Sequence, residues 1–162
     1  MKNKLWLVSV FLFGLTLLGC QTTTTYYQGA KADEEGVVTL SMGEVEKQHW
    51  QDLYVTVDYS SKREGNRLGI KGIVSFSESP KINFEIVRDV KFKLFLLDKD
   101  LRVVDYLDIA RTLGSSLEDQ LHFNKTIKLT DNIVAFTFGY EGSFIDDEWN
   151  SFSVWKLPKR KF

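Results

Sequence analysis

Ser115, Ser116, Asp119 and His122 lie close together in the chain, and serine, carboxylate and imidazole are the groups from which a nucleophilic triad is assembled. The glycines that flank the serine in a hydrolase elbow are missing, and the lone Gly114 suits a turn, so a turn is expected here and no catalytic residue is assigned. His49 and His122 are far apart in sequence and near no cysteine. A metal would need carboxylates converging from unrelated strands, so each histidine is expected as a solvent-facing strand residue and no metal or cofactor is called for. Asp146-Asp147-Glu148, between Phe144 and Trp149, is a compact run of the oxygen donors that hard cations prefer. It lacks the D-x-D-x-D-G loop spacing, and consecutive loop residues seldom point at one ion. Asp146, Asp147, Glu148 and Trp149 are therefore kept as a contact for a ligand or partner, not as a metal site. Aromatic residues make up 14% of the chain. Trp50, Trp149 and Trp155 are of the type that stacks on sugar rings or anchors a partner protein, and Trp149, in a loop, is the one expected to be exposed. Lys156, Lys159, Arg160 and Lys161 form a basic end that either attracts anionic headgroups or is a solvated tail.

The single cysteine, Cys20, excludes an intrachain disulfide and a cysteine-based zinc site. It closes a segment in which Lys2 and Lys4 precede an uncharged stretch, residues 5–18, rich in Leu, Val and Phe. That is the layout of a secretory signal. The stretch would reach roughly 21 Å as a helix, short of a hydrocarbon core about 30 Å thick. Leu17-Leu18-Gly19-Cys20 resembles the lipobox of bacterial lipoproteins. The resemblance implies a diacylglyceryl thioether on Cys20, cleavage after Gly19, and a mature protein bound to a membrane without spanning it. In Gram-negative bacteria a further N-acyl chain is implied, and Gln21, where an aspartate would retain the protein in the inner membrane, implies an outer-membrane anchor with the body facing the periplasm. In a Gram-positive organism the same signal implies the outer face of the cytoplasmic membrane.

The composition, 43% apolar and 27% charged, is that of a globular chain. Its 21 basic and 22 acidic residues leave no footprint for nucleic acid. Three divisions are expected: a signal peptide over 1–19, a lipidated flexible tether over 20–35, and one domain over 36–162. The tether has four consecutive threonines and no periodicity; extended, its residues span at most about 50 Å. Tyr26 and Tyr27 are expected either on that flexible stretch or in the interfacial layer, where an amphipathic ring is favoured.

The domain alternates apolar and polar residues, the mark of strands with one buried face. Leu53, Val55 and Val57 share one parity, as do Leu68, Ile70, Val74 and Phe76, with a bulge expected at Gly72. Val90, Phe92, Leu94 and Leu96 oppose Lys91 and Lys93, and Asp98-Lys99-Asp100 turns the chain into Leu101 and Val103, which predicts a hairpin. Leu121, Phe123, Ile127 and Leu129, the turn Thr130-Asp131-Asn132, and Val134, Phe136, Phe138 and Tyr140 predict a second. Ile82, Phe84 and Ile86 predict a short edge strand, and residues 151–157 a last one before Pro158. Ser41 with Glu44 and Ser115 with Glu118 have capping-box spacing, which allows one-turn helices.

Seven or eight short strands without a long helix predict an all-β antiparallel sandwich. The run Phe92-x-Leu94-x-Leu96-Leu97-Asp98-x-Asp100 with Val103 and Val104 resembles the central hairpin of immunoglobulin-like envelope domains, a likeness that concerns fold alone. With no catalytic constellation, the expectation is a non-enzymatic interaction module, lipid-anchored in the cell envelope, with another envelope protein as partner and an accessory or assembly role. The alternative is a lipoprotein that binds a glycan or cation through residues 144–149.

Overall fold

The alternating segments become strands, and the strands fold into two antiparallel sheets. The computed structural model describes residues 26–159. Among them the order is β1 (Val38–Thr39), β2 (Gly43–Gln51), β3 (Val55–Glu64), β4 (Arg67–Phe76), α1 (Glu78–Asn83), β5 (Ile86–Leu97), β6 (Val103–Ser116), β7 (Leu121–Lys128), β8 (Ala135–Ile145) and β9 (Ser151–Lys156). One sheet is β2-β3-β4-β7; the other is β1-β8-β5-β6, with β9 also on β8. The free edge of β8 is long enough for two short neighbours, β1 beside Ala135 and Phe136 and β9 beside residues 140–145.

The all-β sandwich is as expected, and its core lies between the sheets. Val55, Val57 and Tyr59 of β3, Leu68, Ile70, Val74 and Phe76 of β4, and Phe123 and Ile127 of β7 meet Val90, Phe92, Leu94 and Leu96 of β5 and Phe136, Phe138 and Tyr140 of β8. Rings interlock across the gap edge to face, Tyr59 with Phe138 at 5.0 Å and Phe76 with Phe144 at 5.6 Å between centroids. Such pairs contribute about 0.5–1.5 kcal/mol each beyond the area they bury. The Tyr140 hydroxyl donates to Asp52 Oδ2 at 2.6 Å, tying β8 to the β2–β3 turn of the opposite sheet.

Several elements differ from the expected ones. β2 is an edge strand that alternation did not announce, because its register shifts between Val45 and Gln48, where Lys47 has φ 52°. Gly72 is not a bulge; it pairs in unbroken register with Tyr59 and Phe123, and a Cβ there would lie 2.3 Å from the Asp58 carbonyl oxygen. Leu53 does not share the buried face of Val55 but stands exposed in the turn before β3. The edge strand expected over Ile82, Phe84 and Ile86 does not form: α1 takes Ile82, tolerating Pro80 in its first turn and leaving Ile82 exposed, and Ile86 opens β5 between β6 and β8. No helix forms at the two capping boxes: β2 begins at Gly43, and β6 runs to Ser116.

The second expected hairpin is instead a crossover between sheets. β7 pairs with β4, whereas β8 pairs with β5, and the turn at Thr130 carries the chain from one sheet to the other. The reason is burial: every residue from Ala135 to Tyr140 is buried, so β8 needs a neighbour on both edges and cover on both faces.

The largest correction concerns residues 26–35, expected as flexible tether. Tyr27, Ala30 and Ala32 are buried against Phe95, Leu97, Val103 and Ala135 on the outer face of the five-stranded sheet. The Gly29 N–H donates to the Val103 carbonyl at 2.9 Å and the Val103 N–H to that of Ala30 at 2.9 Å; the Lys31 N–H reaches the Lys159 carbonyl at 2.9 Å. Isolated bridges of this kind impose no period on side chains, which is why the segment reads as irregular. Replacing Tyr27 by Ala is expected to cost about 3 kcal/mol in denaturant unfolding, as for other large buried rings, and replacing its exposed neighbour Tyr26 less than about 0.5 kcal/mol.

Candidate functional site

Cys20 lies outside the described residues. The acidic run does not, and its geometry is that of a turn. Asp146 Oδ1 accepts the backbone N–H of Glu148 at 3.1 Å and of Asn150 at 2.8 Å, while Oδ2 accepts Asn150 Nδ2 at 3.1 Å. The Trp149 N–H bonds the Asp146 carbonyl, and Trp149 sits at φ 65°. The β5–β6 turn is built the same way: Asp98 Oδ1 accepts from the N–H groups of Asp100 and Arg102, and Leu101 has φ 59°. Asp146 therefore serves both ends of its own turn, as Asp98 does. Its lone pairs are engaged by N–H donors, and no cluster of three or more His, Cys, Asp or Glu suited to a metal occurs among the described residues. Trp149, 76% exposed, is presented to solvent by this turn, as expected.

The residues that suggested a triad go different ways. Ser115 shares a hydrogen bond with Thr112, and Asp119 Oδ2 accepts the Ser116 N–H at 3.1 Å. His122 lies on β7 opposite Ile73. His49, Asp58, Ile73 and His122 form one row across the four-stranded sheet. Three strand spacings of about 4.8 Å keep the two imidazoles some 14 Å apart, too far to share an ion. His49 Nδ1 pairs with Asp58 at 2.7 Å, and that hydrogen bond raises the imidazole's pKa.

The most constrained polar group is one that the alternation placed in solvent. Lys93 is buried on the outer face of β5, its Nζ 2.7 Å from Asp108 Oδ1 and 3.3 Å from Glu141 Oε1. Tyr27 and Tyr106 bracket the ammonium, with ring centroids 5.9 and 5.6 Å away. The Tyr27 hydroxyl donates to the other Glu141 oxygen at 3.1 Å. The cluster thus clasps the N-terminal segment to the sheet. A signal for it was present: Phe95 and Leu97 share the parity of Lys93, so that face is apolar toward one end and needs cover. Beside the cover, Lys31, Lys99, Arg102 and Lys159 line a cleft of about 460 Å³ with Glu34 and Asp100.

Burial raises the Tyr27 pKa, reinforced by Glu141. Burial opposes the Lys93 charge, but Asp108 and Glu141 outweigh it and raise that pKa too. Both groups hold their proton more tightly when folded, so their stabilisation is complete below their ordinary values of about 10 and is lost as pH climbs toward the raised ones. Unfolding free energy is expected to fall as pH rises above about 10, and to fall less in Tyr27→Ala. At the acidic turn, Asp146→Ala is expected to cost about 1 kcal/mol by exchanging the turn's hydrogen bonds for bonds to water, Asp146→Asn less, and added calcium is expected to leave the melting midpoint unchanged. No protein-family model matches the chain, nor does any curated protein or solved structure.

Proposed function

We propose that this chain is a lipid-anchored cell-envelope protein whose β-sandwich is a non-enzymatic interaction module. The observation that carries the anchor is the order of residues 1–20: Lys2 and Lys4, an uncharged apolar run, then Leu17-Leu18-Gly19-Cys20. Among the described residues no helix is long and apolar enough to cross a membrane. Gln21 favours outer-membrane sorting in an enteric-type envelope. Connectivity supports the immunoglobulin-like reading. Taken as A, B and E, strands β3, β4 and β7 lie in that order, and β5, β8 and β9 follow the order C, F, G, with β6 beside β5 as C′ lies beside C.

Support for an interaction role comes from how the candidate catalytic and metal-binding groups are used. Asp146 and Asp119 accept backbone N–H groups, and His49 pairs with Asp58. The outer face of the four-stranded sheet offers a partner Lys71, His122 and Asn124, all exposed. A ligand-binding role is favoured by one observation, the exposure of Trp149 on a hydrogen-bonded turn, which suits stacking on a sugar ring.

Cys20→Ala is expected to abolish signal cleavage or to release the protein from membranes, checked by fractionation and by mass spectrometry for a diacylglyceryl thioether. Normal processing with full membrane retention would falsify the anchor. In-cell crosslinking is expected to capture a stoichiometric envelope protein, with the yield reduced by His122→Glu and unchanged by Trp149→Ala. The opposite pattern would move the contact to the β8–β9 turn.

A further inference from the structure

The chain enters the described body at Tyr26, whose ring meets edge-on that of Tyr27; the Tyr27 ring in turn faces Lys93 on β5, the strand between β6 and β8. Only residues 21–25 lie between Cys20 and that point, a reach of about 20 Å at full extension and not the 50 Å of a free tether. Passing from mid-face round an edge to the far sheet takes about two strand spacings of 4.8 Å, the roughly 10 Å between sheets and the side chains beyond them. That path uses the whole length. On the anchored reading proposed above, the face carrying Tyr26 is therefore held toward the lipid.

The residues of that face suit the position. Beyond the cover, cross-strand rows set Arg111, Lys91, Glu141 and Trp155 side by side, and then Leu113, Asp89, Ser143 and Ser153. Tyr26, Leu113 and Trp155 are 68%, 63% and 66% exposed, large groups standing in solvent, with Arg111 two residues before Leu113 on the same strand face and Glu141 paired with Trp155. Trp and Tyr at headgroup depth with Lys or Arg nearby is the pattern of a membrane interface. Arg111 is held by Asp89 through two hydrogen bonds of 3.0 and 3.1 Å, so the middle of the face is close to neutral. The cleft at the β5–β6 turn sets the cations Lys31, Lys99, Arg102 and Lys159 against the carboxylates Glu34 and Asp100, a lining of net positive charge that would attract anionic headgroups. Among the described residues the opposite face, with Lys71, His122 and Asn124 exposed, offers no exposed ring of this size.

We infer that the outer face of the five-stranded sheet lies on the membrane surface, so that the docked N-terminal segment orients the sandwich as well as anchoring it. This rests on lipidation of Cys20. The test uses the lipidated full-length protein reconstituted into vesicles of phosphatidylethanolamine and phosphatidylglycerol. An environment-sensitive fluorophore is placed at Leu113→Cys or Ser153→Cys on this face, and at Lys71→Cys or Asn124→Cys on the other; the acylated Cys20 sulfur does not react. Quenching by headgroup-nitroxide lipid is expected to be severalfold stronger at residues 113 and 153 than at 71 and 124, with the order reversed for a water-soluble quencher. Equal quenching at all four positions on membrane-retained protein would overturn the orientation and leave the anchor standing. Shielding of residues 113 and 153 from both quenchers would also overturn it, since a second copy or another protein then covers the face. A purified protein without the thioether would remove the anchor, and the orientation with it.

Discussion

Apolar surface on both sides of one sheet is the constraint from which the architecture follows. In a two-layer sandwich the inner faces cover each other, and the outer faces are ordinarily polar. Here β5 carries Phe95 and Leu97 outward as well as Leu94 and Leu96 inward, and all four are completely buried. A third layer is required, and the chain supplies it from its own N-terminal end. Tyr27, Ala30 and Ala32 fill that layer; the two alanines allow the backbone to run close enough to Val103 and Leu101 to exchange hydrogen bonds with them.

The same constraint explains why a cation is buried here. Lys93 stands where the apolar part of the outer face gives way to the polar part, and covering Phe95 covers it too. A buried ammonium is tolerated only when paired, and Asp108 from β6 and Glu141 from β8 both reach it. Glu141 also accepts the Tyr27 hydroxyl, so one carboxylate links the cover, the central strand and its neighbour. The inner layer has a counterpart in Asp52, which receives Tyr140 from the opposite sheet and lies 3.5 Å from Lys156. Each polar contact joins elements distant in sequence, which fixes how the layers sit on one another.

The two outer faces consequently differ. One is sealed over half its length by the N-terminal segment and presents Leu113 and Trp155 over the rest; the other is polar and crossed by the row from His49 to His122. In our reading of Cys20 as the anchor, this asymmetry separates a membrane side from a partner side. The Asp98 and Asp146 turns, built alike, belong to the scaffold: each aspartate ties down the N–H groups of its own hairpin, which is why an acidic run became a hydrogen-bonded turn.

Most strand-forming segments, though not β2, the parity of the inner core and the β5–β6 hairpin were legible in the amino-acid order, because period-two alternation is a local property and the residues that obey it pack inward. The anchor that we propose rests on the order of residues 1–20 alone, an equally local pattern in residues that lie outside the described ones. Tertiary structure decided the rest. Whether β7 and β8 form a hairpin or change sheets depends on which edges remain free, and whether Lys93 meets water depends on what covers Phe95. The aspartates of the two turns look like ligands until the backbone groups that they serve are in place. The irregular stretch after the threonines became part of the body because surface exposed elsewhere in the chain needed cover, and no property of that stretch by itself records the need.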